Sequence, residues 1–160
     1  MARFITKEGY EAIRAEIDFL WKTERPRVVA EVSSAADLGD RSENAAYIYG
    51  KKRMREIDSR LRYLRRKIEA VTVVDLATQP QFSTIKFGAI VEVLDDDEET
   101  RVFRLVDKEE SEPKRGRISV QSPIGRALLG REVGDYVTVR LPKGTAGLEI
   151  VSIRYGAGDP

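Results

Sequence analysis

Three carboxylates, Asp37, Asp40 and Glu43, fall within the short segment DLGDRSEN at residues 37–44. What they can do is bounded by what the chain lacks. With no histidine and no cysteine, it can build no Ser/His/Asp triad, no cysteine nucleophile, no zinc finger and no imidazole metal site. Chemistry is left to carboxylates, Lys, Tyr, hydroxyls or a borrowed metal. Two carboxylates alone are too few to hold Mg²⁺, which takes six oxygen ligands and keeps its waters unless other carboxylates or phosphates complete the shell. They can instead add oxygens to an ion seated in another protein's cleft. A structural reading competes with this one. Asp40 and Glu43 have the spacing of a capping box, and acids suit a helix N-terminus in any case. On spacing alone both readings stand.

Behind the acids the charge changes sign. Residues 51–67, KKRMREIDSRLRYLRRK, hold nine Lys or Arg against Glu56 and Asp58, although the whole chain of 160 residues is nearly neutral at +1. Like charges packed along one helix repel, so a polyanion is a favourable partner, and nucleic acid is the obvious one. The plain alternative is a solvated flank paired with acids of a facing helix. Glu8, Glu11, Glu16, Asp18, Glu24 and Glu31 are available for that, but they are few and dispersed.

These groups need elements to carry them. From Tyr10 to Val71 the sequence predicts helix. Tyr47, Gly50, Met54, Ile57, Leu61, Leu64, Ile68 and Val71 follow alternating steps of three and four, the a and d positions of a heptad, with Gly50 its weak member. Tyr10, Ile13, Ile17 and Leu20 keep the same rhythm, followed by Trp21, Val28 and Val32, and Pro26 should bend the helix. Thr6 is an expected N-cap, with Phe4 and Ile5 packing back on the first turn. Gly39 is expected as a left-handed C-cap and Asp40 or Ser42 as the cap of the next helix. Two helices joined by so short a link run antiparallel.

Beyond about Pro80 the period becomes that of strands. Phe87 to Leu94, Arg101 to Val106, Arg117 to Val120, Asp135 to Leu141 and Leu148 to Tyr155 are five candidate strands. The acidic run 95–99 is an exposed hairpin turn. SPIGRALLG at 122–130 is a short helix with Ser122 as N-cap and Pro123 at its first position. The expected organisation is therefore α+β: an antiparallel coiled-coil finger at 1–77, then a small globular domain at 78–160 with a mostly antiparallel sheet. The tail GAGDP at 156–160 is expected to fray. The absence of cysteine, of a signal-peptide core and of an apolar run of spanning length predicts a cytoplasmic protein without a membrane segment.

LGDRSENAAYIYGKKRMREIDSRLRYL at 38–64, ITKEGYEAIRAEIDFLWKTERP near the start and ISVQSPIGRALLGREVGD at 118–135 together resemble the Gre transcript cleavage factors of bacteria. The GDRSEN, LWKTERP and KKRMREID segments look most like the GreB branch. The likeness runs over nearly the whole chain in the family's order. It implies that the second domain has an FKBP-like fold, without implying prolyl isomerase activity. It further implies that this domain docks on bacterial RNA polymerase near the mouth of the secondary channel and that the finger passes down the channel. There the tip acids would stimulate hydrolysis of the extruded 3′ end of nascent RNA in a backtracked complex.

Carried over by position, the tip acids are Asp40 and Glu43, supported by Arg41, Ser42 and Asn44. The basic patch that meets RNA or the channel is Lys51, Lys52, Arg53, Arg55 and Arg60, and the docking surface includes Gln121, Ser122 and Pro123. Mg²⁺ would be held jointly by Asp40, Glu43 and the polymerase, so the chain is not itself an enzyme, and it is expected to be monomeric. Two departures stand out. Gln121 replaces an acid found in some GreB-like sequences, and Ala45 and Ala46 stand where the family often has an acid. Two other readings keep much of the same evidence: a channel-binding regulator that does not stimulate cleavage, and a dimeric coiled-coil adaptor that binds RNA or an acidic partner without polymerase.

Overall fold

The computed structural model describes residues 3–160; Met1 and Ala2, where the expected finger begins, lie outside the described residues. The chain divides into two compact units, one formed by Tyr10–Val71 and the other by the residues up to Gly9 together with Thr72–Pro160. This differs from the expected boundary at 77/78 in one instructive way. The first residues do not pack back on a helix turn. They form strand β1 (Arg3–Thr6), which pairs with β2 (Val71–Val74) in a two-stranded sheet of the globular unit. Ile5 is fully buried there, and the Phe4 ring lies 5.8 Å from that of Phe87. Burial of Ile5, with the ring contact of the partly exposed Phe4, outweighs the local preference of FIT for a helix entrance.

Thr6 does cap the next helix, α1 (Lys7–Phe19): its hydroxyl accepts from the Gly9 N–H at 3.0 Å. The same hydroxyl donates to Glu110, whose carboxylate also accepts from the Thr6 N–H at 3.1 Å.

In the helical unit α1 runs through a π-helical turn (Leu20–Glu24) into α2 (Arg25–Ala36). The turn falls just ahead of Pro26, where the missing N–H ends the regular ladder; Arg25 N–H reaches back to the Leu20 carbonyl instead. The bend expected of Pro26 thus takes the form of one widened turn. Leu20 at the head of this turn and Val28 and Ala35 beyond it are buried, while Trp21, next to Leu20 within the turn, is half exposed.

Helix α3 (Ala45–Ala70) returns alongside, and its 26 residues span about 39 Å. Gly50, Ile57, Leu61 and Leu64 are its buried positions, on the predicted stripe. Gly50 is the tight point of the hairpin: a Cβ built there would stand 2.5 Å from Val32 Cγ2. Its weakness as a core residue is the condition for close helix approach.

The globular unit holds a five-stranded sheet in the order β5-β4-β3-β7-β6. Its strands are β3 (Ile90–Asp95), β4 (Thr100–Val106), β5 (Arg117–Ser119), β6 (Tyr136–Leu141) and β7 (Gly144–Arg154). The pairs β3/β4, β3/β7 and β6/β7 are antiparallel, and β4/β5 is parallel. Alternation along these strands buries Val91, Val93, Leu105, Val137, Val139, Leu148 and Ile150 on one face. Leu128 of α4 (Pro123–Leu128) closes over that face.

The tail is not frayed. Buried Arg104 donates to the carbonyls of Gly156 and Gly158, and Asp159 accepts from Arg115 at 2.8 Å and from Arg117 at 3.0 Å. A cation without water nearby needs acceptors, and the tail supplies them.

Candidate functional site

At the end of the hairpin, α2 stops at Ala36, Gly39 takes a left-handed φ of 113°, and α3 starts at Ala45. Neither Asp40 nor Ser42 caps α3, and the expected capping box is not made. Asn44 caps instead, its side-chain carbonyl accepting from the Tyr47 N–H at 3.1 Å. Its amide NH₂ donates at 2.7 Å to the Ala35 carbonyl at the end of α2. One side chain thereby satisfies an orphan donor of one helix and gives a second donor to the Ala35 carbonyl, which also accepts from the Leu38 N–H at 3.2 Å, strapping the two ends together. A signal was present in the sequence, since Asn is a preferred cap and stands directly before the helical run AAYIYG, but Asp40 and Ser42 compete with it on residue type alone.

Relieved of capping, the acids face solvent: Asp37, Asp40 and Glu43 are all exposed. Asp40 folds into a local turn in which its Oδ1 accepts both the Ser42 hydroxyl at 2.7 Å and the Ser42 N–H at 3.0 Å. Those two donors, the hydroxyl first, hold its pKa below the ordinary carboxylate value. Asp40 is therefore a fixed anion whose Oδ2 is engaged by none of the described residues. Arg41 lies over the Tyr47 ring, 5.6 Å from its centre, which keeps the guanidinium off the Asp40 carboxylate.

As a donor set, two exposed carboxylates suit a hard cation such as Mg²⁺, which prefers oxygen ligands. Among the described residues no group of three or more acids, histidines or cysteines comes together that could hold a metal ion. The tip thus fits Mg²⁺ only as part of a shell completed elsewhere.

The basic residues separate into two sets. Arg53 is paired with Glu24 at 3.6 Å and Glu56 at 3.4 Å. Arg60 forms a two-pronged pair with Glu16, its Nε at 2.6 Å and an Nη at 3.0 Å. Glu16 and Glu24 thus act as the facing-helix partners that the sequence made available, and these two arginines help to hold the hairpin as well as charge its surface. Lys51, Lys52 and Arg55 are exposed and form no ion pair among the described residues. They are the exposed cations of the run that a polyanion can draw on.

In the globular unit Ser122 caps α4, its hydroxyl accepting from the Gly125 N–H at 3.1 Å while donating to the Ser119 carbonyl at 2.6 Å. Gly125 lies so close to the Ser119 carbonyl that no Cβ would fit there. The cap and the close approach fix the loop rigidly and leave Gln121 and Pro123 exposed on it. Expected docking residues therefore sit together on one stiff turn. No helix among the described residues is long and apolar enough to cross a membrane.

Residues 3–73 match the family described as "Transcription elongation factor, N-terminal", and residues 79–155 match "Transcription elongation factor, GreA/GreB, C-term". Over 154 residues the chain is 49% identical to the transcription elongation factor GreB of Yersinia pestis, covering 96% of this chain and 90% of that protein. It is also 49% identical over 154 residues to that of Pseudomonas putida, covering 96% and 94%. Among solved structures, the GreA factor homolog 1 protein of Thermus thermophilus aligns with 96% of this chain and 99% of its own at 22% identity and a TM-score of 0.45. With two family matches in sequence order and GreB proteins at nearly half identity over almost the full length, the chain belongs to the GreA/GreB family of transcription elongation factors.

Proposed function

We propose that the helical hairpin of this chain enters the secondary channel of bacterial RNA polymerase and that its tip stimulates Mg²⁺-dependent cleavage of the 3′ end of nascent RNA in backtracked complexes, rescuing arrested polymerase in the cytoplasm. The observation that supports this most directly is the tip itself. Asp40 and Glu43 are exposed, Asp40 is held ionised, and Asn44 straps the helix ends that carry them.

In this reading Asp40 and Glu43 hold Mg²⁺ jointly with carboxylates of the polymerase, and the bound ion supplies charge stabilisation at the scissile phosphate. The chain's own part is delivery. Ser42 fixes one oxygen of Asp40 and leaves the other to be presented, so little freedom is lost when the site assembles. Asn44 keeps the acids on a rigid mount. Lys51, Lys52 and Arg55 attract the phosphates of extruded RNA, while Gln121, Ser122 and Pro123 provide a firm turn against the polymerase surface. Catalysis belongs to the assembled complex, and the chain alone is not a hydrolase.

The test is transcript cleavage by stalled complexes with the wild-type chain and with Asp40→Asn at matched polymerase occupancy. Loss of cleavage with unchanged binding and melting temperature is expected. Full cleavage by the variant would overturn the role of the acids, and a wild-type chain that binds without cleavage would identify a non-cleaving regulator of the channel.

A further inference from the structure

Trp21 is the only tryptophan in the chain and is half exposed at 50%. Two guanidinium groups stand over its indole, Arg25 from its own helix at 5.6 Å and Arg65 from α3 at 5.1 Å. Arg25 is also paired with Asp58 at 2.9 Å, whereas Arg65 and its neighbour Arg62 are exposed and have no carboxylate partner among the described residues. This cluster lies on the side of α3 away from the paired Arg53 and Arg60, further from the tip than Lys51 and Arg55 on that same side. Lys51, Asp58, Arg62 and Arg65 follow one another at helical spacing on one side of α3, and Arg53 and Arg60 face Glu24 and Glu16 on the other.

We infer that Trp21, Arg65 and Arg62 form a second contact surface on the hairpin, one that docks on an acidic polypeptide surface of the polymerase. The inference rests on the polymerase reading above. An exposed indole pinned by cations loses little side-chain freedom on burial, and Trp with Arg is the composition of interface hot spots. The unpaired guanidiniums supply forked donors for carboxylates. A nucleobase is a poorer fit, because stacking needs an open ring face and guanidiniums from both helices stand over this one.

The sole tryptophan makes the surface directly observable. With 5-hydroxytryptophan incorporated at position 21, its emission can be excited apart from the polymerase's own tryptophans. Binding of core RNA polymerase should shift that emission, and a single-stranded RNA oligonucleotide should leave it unchanged. Trp21→Ala and Arg65→Gln should each weaken polymerase binding at least about tenfold, with cleavage at saturating factor preserved. Arg65→Gln keeps a good helix former, so it guards against a Trp21→Ala chain that loosens the wide turn; far-UV circular dichroism checks both. Unweakened binding by folded variants, or an emission change driven by RNA, would overturn this surface while leaving the tip chemistry intact. A wild-type chain that does not bind polymerase at all would overturn the proposed function and the surface with it.

Discussion

Replacing Asn44 tests whether the mount of the tip acids is a single side chain. Asn44→Ala removes the cap on α3, worth about 1 kcal/mol, and the amide bond to the Ala35 carbonyl, worth about another 1 kcal/mol. Together they amount to about 2 kcal/mol of local stability, or roughly a thirtyfold rise in the open population of the tip at about 1.4 kcal/mol per decade. The Tyr47 N–H, which loses its acceptor, and the Ile48 N–H, which makes the first helical bond to Asn44 O at 3.0 Å, should report it by amide hydrogen exchange. Asn44→Asp separates the two parts. It keeps an acceptor at the helix N-terminus, where negative charge is favourable, but has no NH₂ for Ala35. It should therefore show about half the loss. Protection at Tyr47 within twofold of wild type in Asn44→Ala would refute the strap.

Three further outcomes follow from the same geometry. The Ser42 donors depress the Asp40 pKa, so the interaction is present above the unfolded carboxylate pKa and is lost as pH falls through the lower folded one. Ser42→Ala keeps the N–H and removes the hydroxyl, and carboxyl titration by NMR should show the Asp40 pKa rising toward its ordinary value. Gly50→Ala gains about 1 kcal/mol of helix propensity and loses about 1–3 kcal/mol to overpacking on Val32. Chemical denaturation should show no stabilisation, and Val32→Ala in the same chain should recover most of the loss. Removing Gly156–Pro160 strips buried Arg104 of two carbonyl acceptors, at about 1.5 kcal/mol each for bonds to a charged donor. A melting temperature unchanged by this truncation would contradict the tail's role in satisfying buried Arg104.

The elements legible in the sequence were those written in a local period. The heptad of α3 and the alternation of the five strands each repeat a single packing demand along the chain, and SPIGRALLG carries its own start and stop signals. What escaped depends on residues distant in sequence. The tail is ordered because Arg104, 52 residues before Gly156, is buried beside it, and no property of GAGDP announces that. Residues 3–6 became a strand because residues 71–74 offered an edge. Trp21 stands off the apolar stripe because its neighbour Leu20 takes the buried position, a choice between two adjacent apolar residues that type alone does not make.

At the tip the acids are candidates by type and by resemblance, but the helix cap is Asn44 rather than the Asp40 or Ser42 that residue type also offers. Asn44 does two jobs at once, and one of them is toward the other helix. The basic run was legible as charge; its division between paired Arg53 and Arg60 and unpaired Lys51, Lys52 and Arg55 required the positions of Glu16 and Glu24.

The central claim is most directly tested by adding the purified chain to backtracked RNA polymerase carrying end-labelled RNA and following its length while Mg²⁺ is varied. Shortening from the 3′ end that requires both the chain and Mg²⁺ is the predicted result. RNA of unchanged length in complexes shown to carry the chain would contradict it.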